Sequence, residues 1–288
     1  MERKGAKGPP GVCALCGATA TLISSHYLAA AFSRRLHTET GGKTLPPISL
    51  DAERAIYNCR QPQAKLLCDV CEHRFKVQGE DWVIECTCQK DLRFPLRDLL
   101  LRSTAVEQIG PTSAGRQADV YCGSRVPALR HAEIIYFAAS VFWRGWVFDW
   151  SRVSDHAQVE LPPGLGLEFR NFLLGKSPFP TSVILHVEVA LNPVFSSGDI
   201  GMTFPDKIVP RVPSPDLTAR GYAFTVFGVT FLLYFDLGRS AGLLHGRATS
   251  IAEPPHRILL TDVRMSEVDE VHNKLASTAK RVGRLARS

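Results

Sequence analysis

The sequence predicts an α+β protein, with a small N-terminal module followed by a larger α+β domain that holds a buried helix and an antiparallel sheet. Three observations predict this. Two Cys-x2-Cys pairs, Cys13/Cys16 and Cys68/Cys71, bracket a stretch of mixed strand and helix character. Residues 127–150 read as a helix that is apolar on nearly every side, which marks a core element. Residues 181–192 and 222–237 alternate, or run in β-branched and aromatic residues, as strands do.

Taken in order, residues 1–11 are rich in Gly, Pro and Lys and read as a disordered basic tail. The zinc-binding region covers residues 12–102. Its "GATATLISSH" reads as a strand or hairpin and "YLAAAFSRRLH" as a short helix. "TETGGKTLPPISLDAE" reads as an exposed loop, because Gly-Gly and Pro-Pro breakers sit between periodic segments. "VCEHRFKVQGEDWVIEC" reads as a helix, broken near Gly79. Residues 103–126 form a link with weak strand character at its end.

The larger domain is expected over residues 127–262. Pro127 occupies a natural first helical position. In the helix after it, Glu133, Ser140 and Arg144 fall on one narrow polar stripe, since separations of 7 and 11 residues return to about the same helical angle. Arg144 there reads as one half of a buried ion pair, or as a cation stacked on Trp143 or Trp146. "GLEFRNFLLG" is a short helix ending at a glycine, and "YAFTVFGVTFLLYFDL" reads as two strands turning or bulging near Gly228. Residues 263–288 read as a basic amphipathic helix with Val268, Val271, Leu275, Ala279 and Val282 as its stripe. Acids open that helix and bases close it, an order that suits the helix dipole without any ligand.

Composition bounds the function. At 288 residues and 45% hydrophobic content the chain can bury a substantial core. The longest nearly apolar run, Tyr222–Phe235, spans 14 residues and is too short for a membrane helix. No secretory signal opens the sequence, so the cysteine pairs read as metal thiolates in a reducing cytoplasm. The net charge of +6 is gathered at the two ends, around Arg3, Lys4 and Lys7 and around Lys274, Lys280, Arg281, Arg284 and Arg287. Basic ends attract nucleic-acid phosphates, and they also serve as solvated termini.

A two-residue spacer lets one turn offer two thiolates to one ion, and two such pairs complete a tetrahedral zinc site on Cys13, Cys16, Cys68 and Cys71. The competing reading is four buried free cysteines. Cys59, Cys86, Cys88 and Cys122 lack such spacing and read as core or surface thiols, with Cys59 a weak substitute ligand.

A cysteine pair followed by glycine, a hairpin running into "SSH", then "LLC" and a second pair opening a helix, resembles a treble-clef zinc module. More narrowly, residues 12–77 resemble the zinc-stapled branch of the HNH-type endonucleases, which have the ββα-metal fold. That resemblance implies a phosphodiester-cleaving site. His26 takes the place of the general base, with Ser25 where an acid or histidine usually precedes it. Gln63 takes the place of the orienting asparagine. Glu72 takes the place of the metal-binding histidine, with His73 about 100° further round the helix. It also implies Mg²⁺ or Mn²⁺ as a catalytic cofactor, oxygen-bound by a residue such as Glu72. Arg34, Arg35 and Arg74 are the candidate phosphate clamps, their guanidinium geometry suiting bidentate contact.

Each residue has a structural reading beside this one. His26 can be an auxiliary zinc ligand or a core histidine; Glu72 and His73 can be solvated or capping residues; the arginines can be an exposed helix face. The function classes that follow are a metal-dependent nuclease acting on DNA or RNA, a non-catalytic zinc module binding nucleic acid or protein, and an adaptor whose partner sits on the C-terminal domain.

Overall fold

The computed structural model describes residues 10–36, 38–40, 43–45, 48–50, 55–57, 61–109, 117–154, 156, 158–191, 202–208, 220–236, 249 and 256–262. The expected tail over residues 1–9, the closing helix over 263–288 and Cys59 lie outside them.

The N-terminal part is a three-stranded antiparallel sheet, β1 (Pro10–Val12), β2 (Thr19–His26) and β7 (Gln63–Cys68), in the order β1-β2-β7. The first cysteine pair occupies the turn between β1 and β2, where Gly17 takes φ +80° and its amide donates to Cys13 O at 2.8 Å. A residue with a Cβ would be strained at that angle. β2 pairs with β7 so that Leu22 faces Cys68 and His26 faces Gln63, with a register shift between Ile23 and Ser24. Helix α1 (Ala30–Leu36) follows β2. The stretch expected as an exposed loop instead holds two short hairpins, β3 (Thr38–Thr40) with β4 (Lys43–Leu45) and β5 (Ile48–Leu50) with β6 (Ala55–Tyr57).

The helix that follows β7 is continuous, not broken. α2 (Asp69–Phe75) passes through a π turn over Lys76–Glu80 into α3 (Asp81–Cys86). Gly79 makes the passage possible: a Cβ there would lie 2.8 Å from the Phe137 amide nitrogen of the next long helix. α4 (Pro95–Leu101) then leads to the larger sheet, with its proline in the first turn, where a missing N–H leaves nothing unsatisfied.

That sheet has seven strands in the order β11-β12-β13-β10-β14-β9-β8. They are β8 (Glu107–Ile109), β9 (Gln117–Cys122), β10 (Ile184–Ala190), β11 (Asp206–Ile208), β12 (Arg220–Val226), β13 (Val229–Phe235) and β14 (Arg257–Asp262). Two expectations are corrected here. Residues 103–126 are no link, because β8 and β9 complete the sheet beside β14. Nor is the sheet wholly antiparallel, since β10 and β14 run parallel. Tyr222–Phe235 forms the hairpin β12–β13, turning at Phe227 (φ 43°) and Gly228 (φ 85°). Positive φ at both central residues matches the twist of the flanking strands.

α5 (His131–Val147) lies on the sheet, its Phe137 edge-on to Phe224 and Phe231 at 5.9 and 5.4 Å. Twelve consecutive residues, Ile134–Gly145, are buried, so this helix has protein on all sides, as its composition predicts. α6 (Leu165–Leu173) packs beside it. Tyr27 from the end of β2 stacks on Trp150 at 4.5 Å, and one continuous apolar cluster joins the cysteine-bearing part to the sheet. The two regions share a core.

Candidate functional site

Sγ atoms of Cys13, Cys16, Cys68 and Cys71 all lie within 4.8 Å of one another, a group that can hold a metal ion such as zinc. The fold dictates this. The β1–β2 turn presents one pair, while the end of β7 and the first turn of α2 present the other. Burial alone pushes the Cys13 thiol up, but amide donors from Cys16, Cys68 and Leu15 outweigh it and bring it down to about 7. Burial and the neighbouring sulfurs push Cys71 the other way. Four thiols this close repel once ionised, and a cation at their centre removes that conflict. Arg170 of α6 anchors the turn from outside, its Nε donating to Leu15 O at 2.6 Å.

Beside the thiols lies a cavity of about 270 Å³. Its wall includes His26, Ala30, Asp69, Glu72, His73, Lys76, Glu80 and Arg144. His26 reaches it from the last residue of β2, and Glu72 from the first turn of α2. Half-buried, His26 is held below the ordinary histidine range first by desolvation and then by the charge of Arg144. Both effects favour the neutral imidazole. Glu72 is pushed up by burial, against the opposing effects of Arg144 and of the Ser25 hydroxyl, which donates to its Oε2 at 3.0 Å. Ser25 is fully buried.

Arg144 forms the cavity's charged floor. Only 1% exposed, it pairs with Glu80 at 2.7 Å, lies 3.7 Å from Glu72 and sits 4.6 Å above the Phe75 ring. Its Nε is buried without a partner. The stacking on tryptophan expected as an alternative is replaced by stacking on Phe75.

Of the residues predicted from sequence, His26, Glu72 and His73 line this cavity and Gln63, Arg34, Arg35 and Arg74 do not. Gln63 is exposed and accepts from Ser24 Oγ at 2.7 Å. Arg35 is turned into the protein, donating to Thr87 Oγ1 at 2.8 Å and to the carbonyls of Cys88 and Ile84, against the rings of Phe32 and Phe227. It caps the end of α3 and does not face phosphate. Arg74 is half-buried and points its Nη1 toward Leu174 O at 3.4 Å. Arg34 is exposed at the end of α1.

Sequence reasoning missed Asp69, Lys76, Glu80 and Arg144 as members of the cavity. Arg144 carried a signal, as a charge on an otherwise apolar helix. Glu80 carried none. Among the described residues, the four cysteines are the one group of three or more ligating side chains that converge on a point. The cavity's carboxylates, on Asp69, Glu72 and Glu80, are oxygen donors of the kind Mg²⁺ or Mn²⁺ takes, since such ions need one or two carboxylates and keep several waters. Its volume is several times the roughly 30 Å³ share of one water.

No family model, characterised protein or solved structure matches the chain. No described helix is long and apolar enough to cross a membrane.

Proposed function

We propose that the chain is an HNH-like, metal-dependent endonuclease that hydrolyses nucleic-acid phosphodiesters in the cavity beside a structural zinc. One observation carries this reading. A hairpin strand and a helix, pinned together by four cysteines, place His26 and Glu72 on the wall of the same cavity. In this reading the treble-clef arrangement of turn, hairpin and helix exists to fix that pair.

The roles follow from the environments. A neutral imidazole nitrogen of His26 accepts a proton from water as the water attacks phosphorus. Glu72 offers oxygen to a divalent cation, and Ser25 holds the carboxylate in place. When bound, that cation supplies charge stabilisation to the phosphate and the leaving oxygen. Burial around Arg144 and Phe75 lowers the local dielectric and strengthens these interactions. The test is incubation of the full chain with supercoiled plasmid and with RNA, in Mg²⁺, in Mn²⁺ and in chelator. Nicking or cleavage that needs the divalent ion is expected. Its absence with every ion contradicts the proposal.

A second reading has its own observation. Arg144 already supplies a cation to both carboxylates, as a structural core would need. In that reading the zinc module binds DNA, RNA or a protein without chemistry, the larger sheet serving a protein partner. Retained salt-dependent nucleic-acid binding without cleavage would favour it.

A further inference from the structure

Glu72 and Glu80 are eight residues apart on the helix that runs from Asp69 to Cys86. Along a regular α-helix that spacing turns one about 80° away from the other. The π turn over Lys76–Glu80 absorbs one extra residue, so Glu80 sits where a seventh residue would, about 20° from Glu72. Both carboxylates therefore meet Arg144 of α5.

Arg144 divides itself unequally between them. Its Nη1 donates to Glu80 Oε1 at 2.7 Å, whereas its Nη2 stands 3.7 Å from Glu72 Oε1, beyond hydrogen-bond range. The Glu80 side chain is also the deeper one, 11% exposed against 22% for Glu72. Ser25 holds the other Glu72 oxygen at 3.0 Å. Two carboxylates against one guanidinium leave an excess of negative charge at the cavity wall, and Lys76 does not cancel it because it pairs with Asp81 at 2.7 Å.

We infer that Glu80 is a positioning residue for Glu72 that acts through Arg144. Glu80 holds the guanidinium back, and so keeps Oε1 of Glu72 available to a divalent cation that enters the cavity. The inference rests on the proposed metal-assisted role of this cavity. Without Glu80, a buried guanidinium would be left without its ionic partner, which is costly, and it would close on Glu72 instead.

The test is Mn²⁺ binding to the full, zinc-loaded chain, followed by electron paramagnetic resonance of the free ion. Glu80→Gln is expected to weaken Mn²⁺ binding at least about tenfold with zinc content unchanged, the usual cost of losing a group that orients a ligand. Glu72→Gln should do the same. The double variant Glu80→Gln/Arg144→Met should recover most of the lost affinity, because nothing then competes for Glu72. Glu80→Asp, which keeps the charge, should bind nearly as the natural chain does.

A merely structural ion pair would give neither recovery. Mn²⁺ binding unchanged in Glu80→Gln overturns the inference, as does equal loss in Glu80→Asp and Glu80→Gln, or no Mn²⁺ uptake by the natural chain. Should the double variant fail to fold, the Asp/Gln comparison decides alone. Mn²⁺ binding that follows this pattern without nucleic-acid cleavage would sink the nuclease reading and leave the positioning roles standing. Cleavage with an unaltered Glu80→Gln would do the reverse.

Discussion

His26 illustrates how one side chain acquires a role from its surroundings. It ends a strand, half-buried, beside a buried guanidinium and two carboxylates, and desolvation holds it neutral. Because its folded proton affinity is lowered, the neutral form persists to pH values below the ordinary histidine range. Cleavage that uses it as a base is therefore expected to fall only as pH drops through that lowered value, and a pH–rate profile checks this. An acid limb at or above the ordinary histidine range would contradict it. Protonation also favours unfolding at this position, so His26 contributes stability that diminishes in the same acid window. The cysteines make a different prediction. Cys71→Ser should lose the metal and unfold the N-terminal sheet, because the thiolate–metal energy is largely folding energy in such small modules. Metal analysis and circular dichroism check it. These four positions were legible in the sequence because a two-residue spacer has a direct geometric consequence. The arginines were not. Arg35 reads as an exposed helix residue, yet its planar fork matches carbonyls at and just beyond the end of α3, about fifty positions away in the chain.

The helix from Asp69 to Cys86 is where local sequence and tertiary packing part company. Gly79 reads as a helix breaker, since glycine costs about 1 kcal/mol in a helix interior. The structure keeps the helix and puts the glycine against the backbone of Phe137, where only a hydrogen fits. Restoring alanine should therefore destabilise. Gly79→Ala is expected to cost about 1–3 kcal/mol by overpacking, despite the better helix propensity. Urea unfolding measures it, and a more stable Gly79→Ala chain would show that the crossing is loose. The same crossing explains why Glu80 was missed, since a period of 3.6 residues does not foresee the extra residue of a π turn. Other elements were plain. α5 was readable because an all-round apolar helix of this length has to be buried, and β12 and β13 because β-branched and aromatic runs flank a turn-forming glycine. β9 showed only as weak strand character at the end of the expected link, and β8 not at all, since three residues leave no periodicity to detect.

At the scale of the molecule, the cysteine-bearing part and the seven-stranded sheet share one core, although the sequence suggests two domains joined by a link. The contact is specific. Tyr27 stacks on Trp150, the Trp150 indole donates to Arg144 O at 2.8 Å, and Arg144 in turn lies against Glu80 and Phe75. Helix α5, which packs on the larger sheet, thus supplies the charged floor of a cavity whose other walls come from the N-terminal hairpin and helices. Sequence reading divides what folding joins because residues 103–126 read as a link, whereas β8 and β9 within them pair into the larger sheet. In the proposed reading this arrangement separates stability from chemistry. The four thiols and the shared core are expected to hold the fold, with His26, which belongs to neither group, free to change. The measurement that tests this most directly is the rate of Mn²⁺- or Mg²⁺-dependent cleavage by His26→Ala beside the natural chain, at equal zinc content and melting temperature. The account predicts a rate lower by roughly 10²–10⁴-fold with zinc and fold retained, the usual magnitude for a lost general base. Equal rates, or a His26→Ala chain that has shed its zinc, would contradict it.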